Sequence, residues 1–135
     1  MRTTIIRRAH FNAAHRVYRK DWSDEKNREV FGPCSNPRYH GHNYSLEVQV
    51  TGLVDPTTGY VMDLRDLKQI IEEQVIRPFD HRNLNLDTEE FRDLNPTAEN
   101  IARVIYEKIR KVLPHHLDLR IRLMETENNL VEYPA

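Results

Sequence analysis

A chain of 135 residues, 39% apolar and 30% charged, is long enough for one modest core, and we expect a single domain over residues 1–135. Its net charge of -1 excludes a polycationic nucleic-acid binder and an acidic tail, while the lone Cys34 excludes an intrachain disulfide framework and fits a reducing compartment. Met1-Arg-Thr-Thr-Ile-Ile-Arg-Arg lacks the apolar core of a secretory leader and no apolar run nears the roughly 18 residues of a membrane span, so the expectation is a cytoplasmic protein with no membrane or nucleic-acid partner.

Thr3 to His15 reads as a strand, with Ile5, Ala9, Phe11, Ala13 and His15 on one parity; Arg7 interrupts the row and leaves room for a bulge. Residues 16–39, rich in Arg, Lys, Asp, Pro and Gly, predict an irregular loop of a length that is more often functional than idle. The cleanest strand follows over 42–51, where His42, Tyr44, Leu46, Val48 and Val50 alternate with polar residues, one face buried and the other wet. Asp63 is placed to cap a helix with the stripe Leu64, Leu67, Ile70, Ile71 and Val75, ended by Pro78. A second helix opens at Asn95-Pro96-Thr97, with Pro96 suited to the first helical position, and runs through Ile101, Val104, Ile105, Ile109 and Val112 to Pro114. Leu117, Leu119, Ile121 and Leu123 then alternate with polar residues, and a Glu-Asn-Asn turn leads to a short strand near Leu130 to Tyr133. The order ββααββ implies an α+β fold, an antiparallel four-stranded sheet with both helices on one face, since each element has one apolar side to bury.

His40-Gly41-His42 leads into the clean strand, so both imidazoles project to the same side at the end of its buried row. His15 ends the first strand on the parity of Phe11 and Ala13, and an antiparallel neighbour would bring it beside the pair. Three histidines suit Zn²⁺ and leave a fourth position for water or substrate, the mark of a catalytic zinc; the alternative is three ordinary histidines bonded to carbonyls. Cys34, in the turn Gly-Pro-Cys-Ser-Asn-Pro, reads three ways: a small buried hydrophobe, a fourth ligand that closes a structural site, or a general base for an acidified C–H, helped by the cation and by an imidazole such as His81. Asp80-His81 is equally readable as a turn. Glu125 continues the odd-numbered row from Leu117, which places a carboxylate at the end of an apolar face where it can grip a planar heterocycle with two adjacent N–H donors, unless the strand twists it into water.

Phe11-Asn-Ala-Ala-His15-Arg, Cys34-x5-His40-Gly-His42-Asn-Tyr, Gly59-Tyr-Val-Met-Asp63, Asp80-His81-Arg-Asn-Leu84-Asn, Pro96-Thr-Ala-Glu99-Asn100 and Glu125-Thr126 together resemble the 6-pyruvoyl and 6-carboxytetrahydropterin synthase family, in order and spacing, over nearly the whole chain. The resemblance implies the tunnelling fold, in which ββααββ subunits join their sheets into a barrel. It also implies that His15, His40 and His42 are zinc ligands, that Cys34 abstracts a proton, that Asp80 and His81 relay protons, and that Glu125 anchors the pterin, with Thr97 and Glu99 helping to line the pocket. Family members are hexamers built as dimers of trimers, with active sites at subunit interfaces and the relay pair supplied by a neighbour. The implied substrate is 7,8-dihydroneopterin triphosphate, a small-molecule partner for which Arg16, Arg19, Lys20, Lys26 and Arg28 are candidate phosphate contacts.

The five-residue interval between Cys34 and His40 resembles the 6-pyruvoyl branch, whereas the Asn95-Pro96-Thr97 helix start resembles the bacterial 6-carboxy branch, which serves the queuosine pathway and releases acetaldehyde. The expected reaction is conversion to 6-pyruvoyl tetrahydropterin with loss of triphosphate. The alternatives are the 6-carboxy reaction, a non-catalytic structural zinc module, and different chemistry on the same fold, such as that of an aldolase.

Overall fold

The computed structural model describes every residue, Met1–Ala135. Strands β1 (Arg2–His15) and β2 (His40–Leu53) pair antiparallel from Arg2↔Leu53 to His15↔His40 without interruption, so the bulge allowed for at Arg7 does not form. Arg7 instead lies across from Val48 near the sheet edge and lines a groove with Lys68 and Ile76, where a long aliphatic stem can cover apolar surface while its head stays wet. The expected hairpin is present as β4 (Asp118–Met124) and β5 (Leu130–Tyr133).

The sheet holds one strand more than expected. Arg82–Asn83 forms a two-residue β3 parallel to β1 at Ala13 and Ala14, giving the order β3-β1-β2-β4-β5 and a mixed sheet. Two residues carry no periodicity to read, and β3 is held by contacts distant in sequence: the Asn12 N–H donates to Asp80 Oδ1 at 2.9 Å and the His81 N–H to Asn12 O at 2.6 Å.

The helices pack on one face. α2 (Leu64–Ile71) is capped as expected, Asp63 accepting from the Arg65 N–H at 2.9 Å. The helix does not stop before Pro78: it widens into a π-helical segment, Glu72–Ile76, and ends in a last turn, α3 (Arg77–Phe79), that contains the proline. The Arg77 N–H reaches back to Glu72 O, so the ladder has already shifted by one residue where Pro78 brings no donor. A short α4 (Leu84–Asp87) follows β3. In α5 (Ala98–Val112) Thr97 is the cap, accepting from the Asn100 N–H at 3.2 Å; Pro96 therefore sits one position before the cap rather than inside the helix, and its carbonyl stays free for other use. The loop 16–39 is also less irregular than expected. α1 (Asp24–Phe31) starts at the Ser23 cap, carries Asp24 and Glu25 in its first turn and ends at Gly32 with φ 62°. It has almost no apolar stripe, which hides it from a periodicity test.

The core lies between the sheet and α2, α3 and α5, with Leu46, Val48, Val50, Ile71, Phe79, Ile105, Ile121 and Leu123 almost fully buried. Phe11 stacks on Tyr44 at 4.9 Å between ring centres and closes this core directly beneath the histidines. The opposite sheet face carries no helix, yet Glu47 is only 5% exposed, against the expectation of a wet face. A row of alternating charge crosses the four long strands: Arg8 to Glu47 at 3.0 Å, Glu47 to Arg122 at 3.5 Å, and Arg122 to Glu132 at 3.1 Å. The arginine stems cover the carboxylate while their guanidiniums neutralise it.

Candidate active site

The register that closes β1 on β2 sets His15 directly across from His40, and His42 follows two residues on, on the same face. One ligand atom from each of the three imidazoles lies within 4.8 Å of the others. His15 is 1% exposed, and its Nδ1 faces the carbonyl of Pro96 at 2.7 Å, the oxygen that the displaced cap leaves free. That bond makes Nδ1 the protonated nitrogen and leaves Nε2 a bare lone pair, which points at His40 Nε2 at 3.0 Å. Burial, with His40 and His42 adding to it, pushes the His15 imidazole down to about 4, so it is neutral at ordinary pH; burial also lowers His40.

Two nitrogens, His40 Nδ1 and His42 Nε2, are buried without a hydrogen-bond partner. Buried imidazole nitrogens normally find partners, and a set of rings with their nitrogens turned on one another is what a divalent cation satisfies. The donor set therefore fits a metal. Cys34 is not among the converging donors, which weighs against a closed four-ligand site.

Glu125 links this centre to a cavity of about 590 Å³. Its Oε1 lies 3.7 Å from His42 Nε2 and its side chain is 22% exposed, so the strand does not turn it fully into water. The same cavity is lined by Cys34, Thr97 and Glu99, with Phe31, Asn129 and Leu130 among the other walls. Cys34 reaches it from the 3-10 turn Gly32–Ser35, tied down by the Val17 N–H donating to Cys34 O at 2.8 Å. Tyr44, whose hydroxyl lies 3.4 Å from His15 Nδ1, is held protonated by burial and by the nearby Glu125 and Cys34, which raise its phenol above the usual range. Sequence reasoning passed over it, although it shares the parity of His42. It passed over the Pro96 carbonyl as well, and no local signal marks a backbone oxygen that acts 81 residues away.

Asp80 and His81 stand apart from this cavity. They pair at 3.0 Å on the outer edge of β1, with Asp80 held below the usual carboxylate range first by the Asn12 N–H and also by His81. The His81 side chain is 80% exposed, and its backbone sits at φ 60°, a left-handed conformation that costs a non-glycine residue about 1–2 kcal/mol. An exposed ring held in a strained conformation is presented outward.

Most of the expected phosphate contacts are otherwise engaged. Arg16 donates to Ser35 O and to Asp24, Arg19 is gripped by Asp21, Lys20 donates to Arg92 O, and Lys26 lies over Trp22. Arg28 remains, beside Pro33 and Ser35 on the outer side of the Cys34 turn.

Three imidazoles joined through Glu125 to a cavity that also holds a thiol and a second carboxylate make up a site for a small molecule rather than a structural clamp. The profile of the family described as 6-pyruvoyl tetrahydropterin synthase matches residues 4–135, and the chain belongs to that family. A 6-pyruvoyl tetrahydrobiopterin synthase of Pongo abelii is 48% identical over 129 residues, covering 96% of this chain and 89% of that protein. The structure of Caenorhabditis elegans 6-pyruvoyl tetrahydropterin synthase superposes with a TM-score of 0.93 at 39% identity, covering 100% of this chain and 96% of the other. A dihydroneopterin monophosphate aldolase of Pyrococcus furiosus is also similar, 41% identical over 129 residues, with 96% of this chain and 93% of that protein covered.

Proposed function

We propose that the protein converts 7,8-dihydroneopterin triphosphate to 6-pyruvoyl tetrahydropterin, releasing triphosphate, with Zn²⁺ held by His15, His40 and His42. The observation that carries this reading is the convergence of three imidazoles, one of them 3.7 Å from Glu125, a residue that also lines the cavity holding Cys34. Zinc bound there would act as a Lewis acid on the side-chain hydroxyls of the substrate and acidify the adjacent C–H. Pro96 fixes the His15 tautomer through Nδ1, so that Nε2 is the nitrogen offered to the metal. Glu125 accepts the paired N–H groups of the pterin edge, while Thr97 and Glu99 line the same pocket. Cys34 removes a carbon-bound proton from the side chain; His81, oriented by Asp80, holds and returns protons as the double bonds migrate and triphosphate leaves. Electrons pass only from side chain to ring, so no redox cofactor takes part.

The relay pair lies on an outer strand edge and outside the cavity of its own chain, which supports its use in a neighbouring copy's site. Accordingly we propose a barrel of joined sheets and a hexamer made of two trimers, working in the cytoplasm. No helix is long and apolar enough to cross a membrane.

The similarity to a dihydroneopterin monophosphate aldolase favours a second reading, in which the same centre cleaves the side chain of a phosphorylated pterin and releases an aldehyde. Incubation of the zinc-loaded protein with 7,8-dihydroneopterin triphosphate, followed by mass analysis of the pterin and aldehyde trapping, separates the readings. We expect a pterin that keeps all three side-chain carbons, together with free triphosphate; a shortened pterin with a trapped aldehyde would contradict this, acetaldehyde marking the 6-carboxy reaction. Cys34→Ala should lower turnover about 10²- to 10⁴-fold with zinc retained. Loss of zinc and of folding in that variant would point to a structural module instead.

A further inference from the structure

The substrate proposed above carries a triphosphate, and the cavity has nothing to hold it. Its polar walls are Cys34, Thr97, Glu99, Glu125, Asn128 and Asn129; no lysine or arginine lines it, and the two carboxylates repel a polyanion. The cations of the loop 16–39 do not make up the lack. Arg16, Arg19, Lys20 and Lys26 are engaged within the chain, and Arg28 faces the groove on the outer side of the Cys34 turn. A leaving group with several negative charges therefore needs a cation that these walls do not supply.

We propose that Arg82 is that cation, and that it meets the triphosphate in the site where Asp80 and His81 act. The assignment rests on the reading that the relay pair works in a neighbouring copy, and it adds a binding residue that arrives with the pair. Arg82 is exposed and takes part in none of the chain's ion pairs. The acids nearest to it in sequence are occupied elsewhere: Asp80 by the Asn12 N–H and His81, and Asp87 by the Asn83 N–H at 2.9 Å. Its guanidinium thus has no internal partner, yet its backbone is fixed. Parallel pairing sets Arg82 beside Ala13, and the preceding His81 N–H donates to Asn12 O at 2.6 Å. A free planar fork on a fixed backbone is suited to bidentate phosphate binding.

The place of Arg82 beside His81 matches the layout of the substrate. The carbon that bears the triphosphate adjoins the carbons whose protons His81 would hold and return, and the Cα atoms of neighbouring residues are only about 3.8 Å apart. Strand alternation would send the two side chains to opposite faces, but it holds only through extended residues, and His81 is left-handed at φ 60°. Both residues are exposed at the outer edge of β1. When the C–O bond breaks, its electron pair leaves with the triphosphate, and Arg82 meets the charge that develops there. Arg38, two residues before His40, is also exposed and outside the ion pairs, but its turn places Asn36 and Pro37 on the outer groove beside Arg28.

Kinetics with a phosphate-free competitor test the assignment. In the zinc-loaded protein Arg82→Ala should lower kcat/KM for 7,8-dihydroneopterin triphosphate by about 10- to 100-fold, the worth of a hydrogen bond to a charged group. Inhibition by inorganic triphosphate should weaken as well, whereas inhibition by 7,8-dihydroneopterin, which lacks the phosphates, should not change. Arg82→Lys should recover part of the loss by restoring a point charge, and Arg82→Gln serves if alanine disturbs β3. An unchanged kcat/KM, an equal loss toward the phosphate-free inhibitor, or a loss in Arg38→Ala alone overturns the role of Arg82. Co-expression of Arg82→Ala with His42→Ala chains should restore activity that neither has alone, because a shared site can take its imidazoles from one chain and its arginine from another. No recovery overturns delivery by a neighbour. Failure of the unaltered zinc-loaded protein to release triphosphate would instead overturn the proposed reaction itself, and this assignment with it.

Discussion

Two groups of polar side chains are buried on this sheet, and they are treated in opposite ways. On the helix-free face Glu47 is met by Arg8 and Arg122, and Arg122 by Glu132, so each charge has a counter-charge within the chain. At the end of the helix-covered face His40 Nδ1 and His42 Nε2 have no partner, and two imidazole nitrogens face each other at 3.0 Å. A buried polar group without a partner costs about 1–3 kcal/mol, and a fold keeps such groups where something else completes them. The row in which every charge has a counter-charge is architecture; the cluster whose imidazole nitrogens face one another is a site.

The contrast is broken most severely at the cluster. His42→Ala should abolish zinc binding and turnover together, as read by metal analysis and by the product assay, because two imidazoles hold Zn²⁺ poorly. Full metal occupancy in that variant would remove His42 from the ligand set. Glu125→Gln should weaken pterin binding by about 1–3 kcal/mol, measured calorimetrically, and leave zinc in place. Unchanged affinity would mean that the carboxylate serves His42 rather than the ligand. Glu47→Ala should act in the converse way, costing about 1–2 kcal/mol in denaturant unfolding because the exposed Arg8 is partly screened, with metal affinity unchanged.

A smaller effect appears with pH. The folded His15 titrates near 4 and the unfolded one near 6.5, so between these values the unfolded chain binds the extra proton. The stability of the metal-free protein should therefore be complete above about pH 6.5 and decline as the pH falls toward about 4. Melting temperatures across that window check the slope, which His15→Gln should flatten.

Much of this was legible in the sequence, and the reasons are specific. Period-two alternation showed β1, β2 and β4, and parity alone put His15, His40 and His42 on one face. The end of each strand then decided that they meet, since the antiparallel register pairs His15 with His40. The features that escaped notice lack a period or act at long range. α1 is set by its Ser23 cap and Gly32 rather than by an apolar stripe, β3 is two residues held by Asp80 and His81, and the helix passes Pro78 because a π-helical turn absorbs the missing donor. Glu47 reads as a wet residue on its own strand; its burial comes from arginines on the strands to either side.

X-ray absorption at the zinc edge of the loaded, substrate-free protein tests the central claim most directly. Three imidazole nitrogens and one exchangeable light ligand at about 2.0–2.1 Å, with no sulfur, are the expected result. A sulfur neighbour at about 2.3 Å, or fewer than three imidazoles, would contradict an open three-histidine centre.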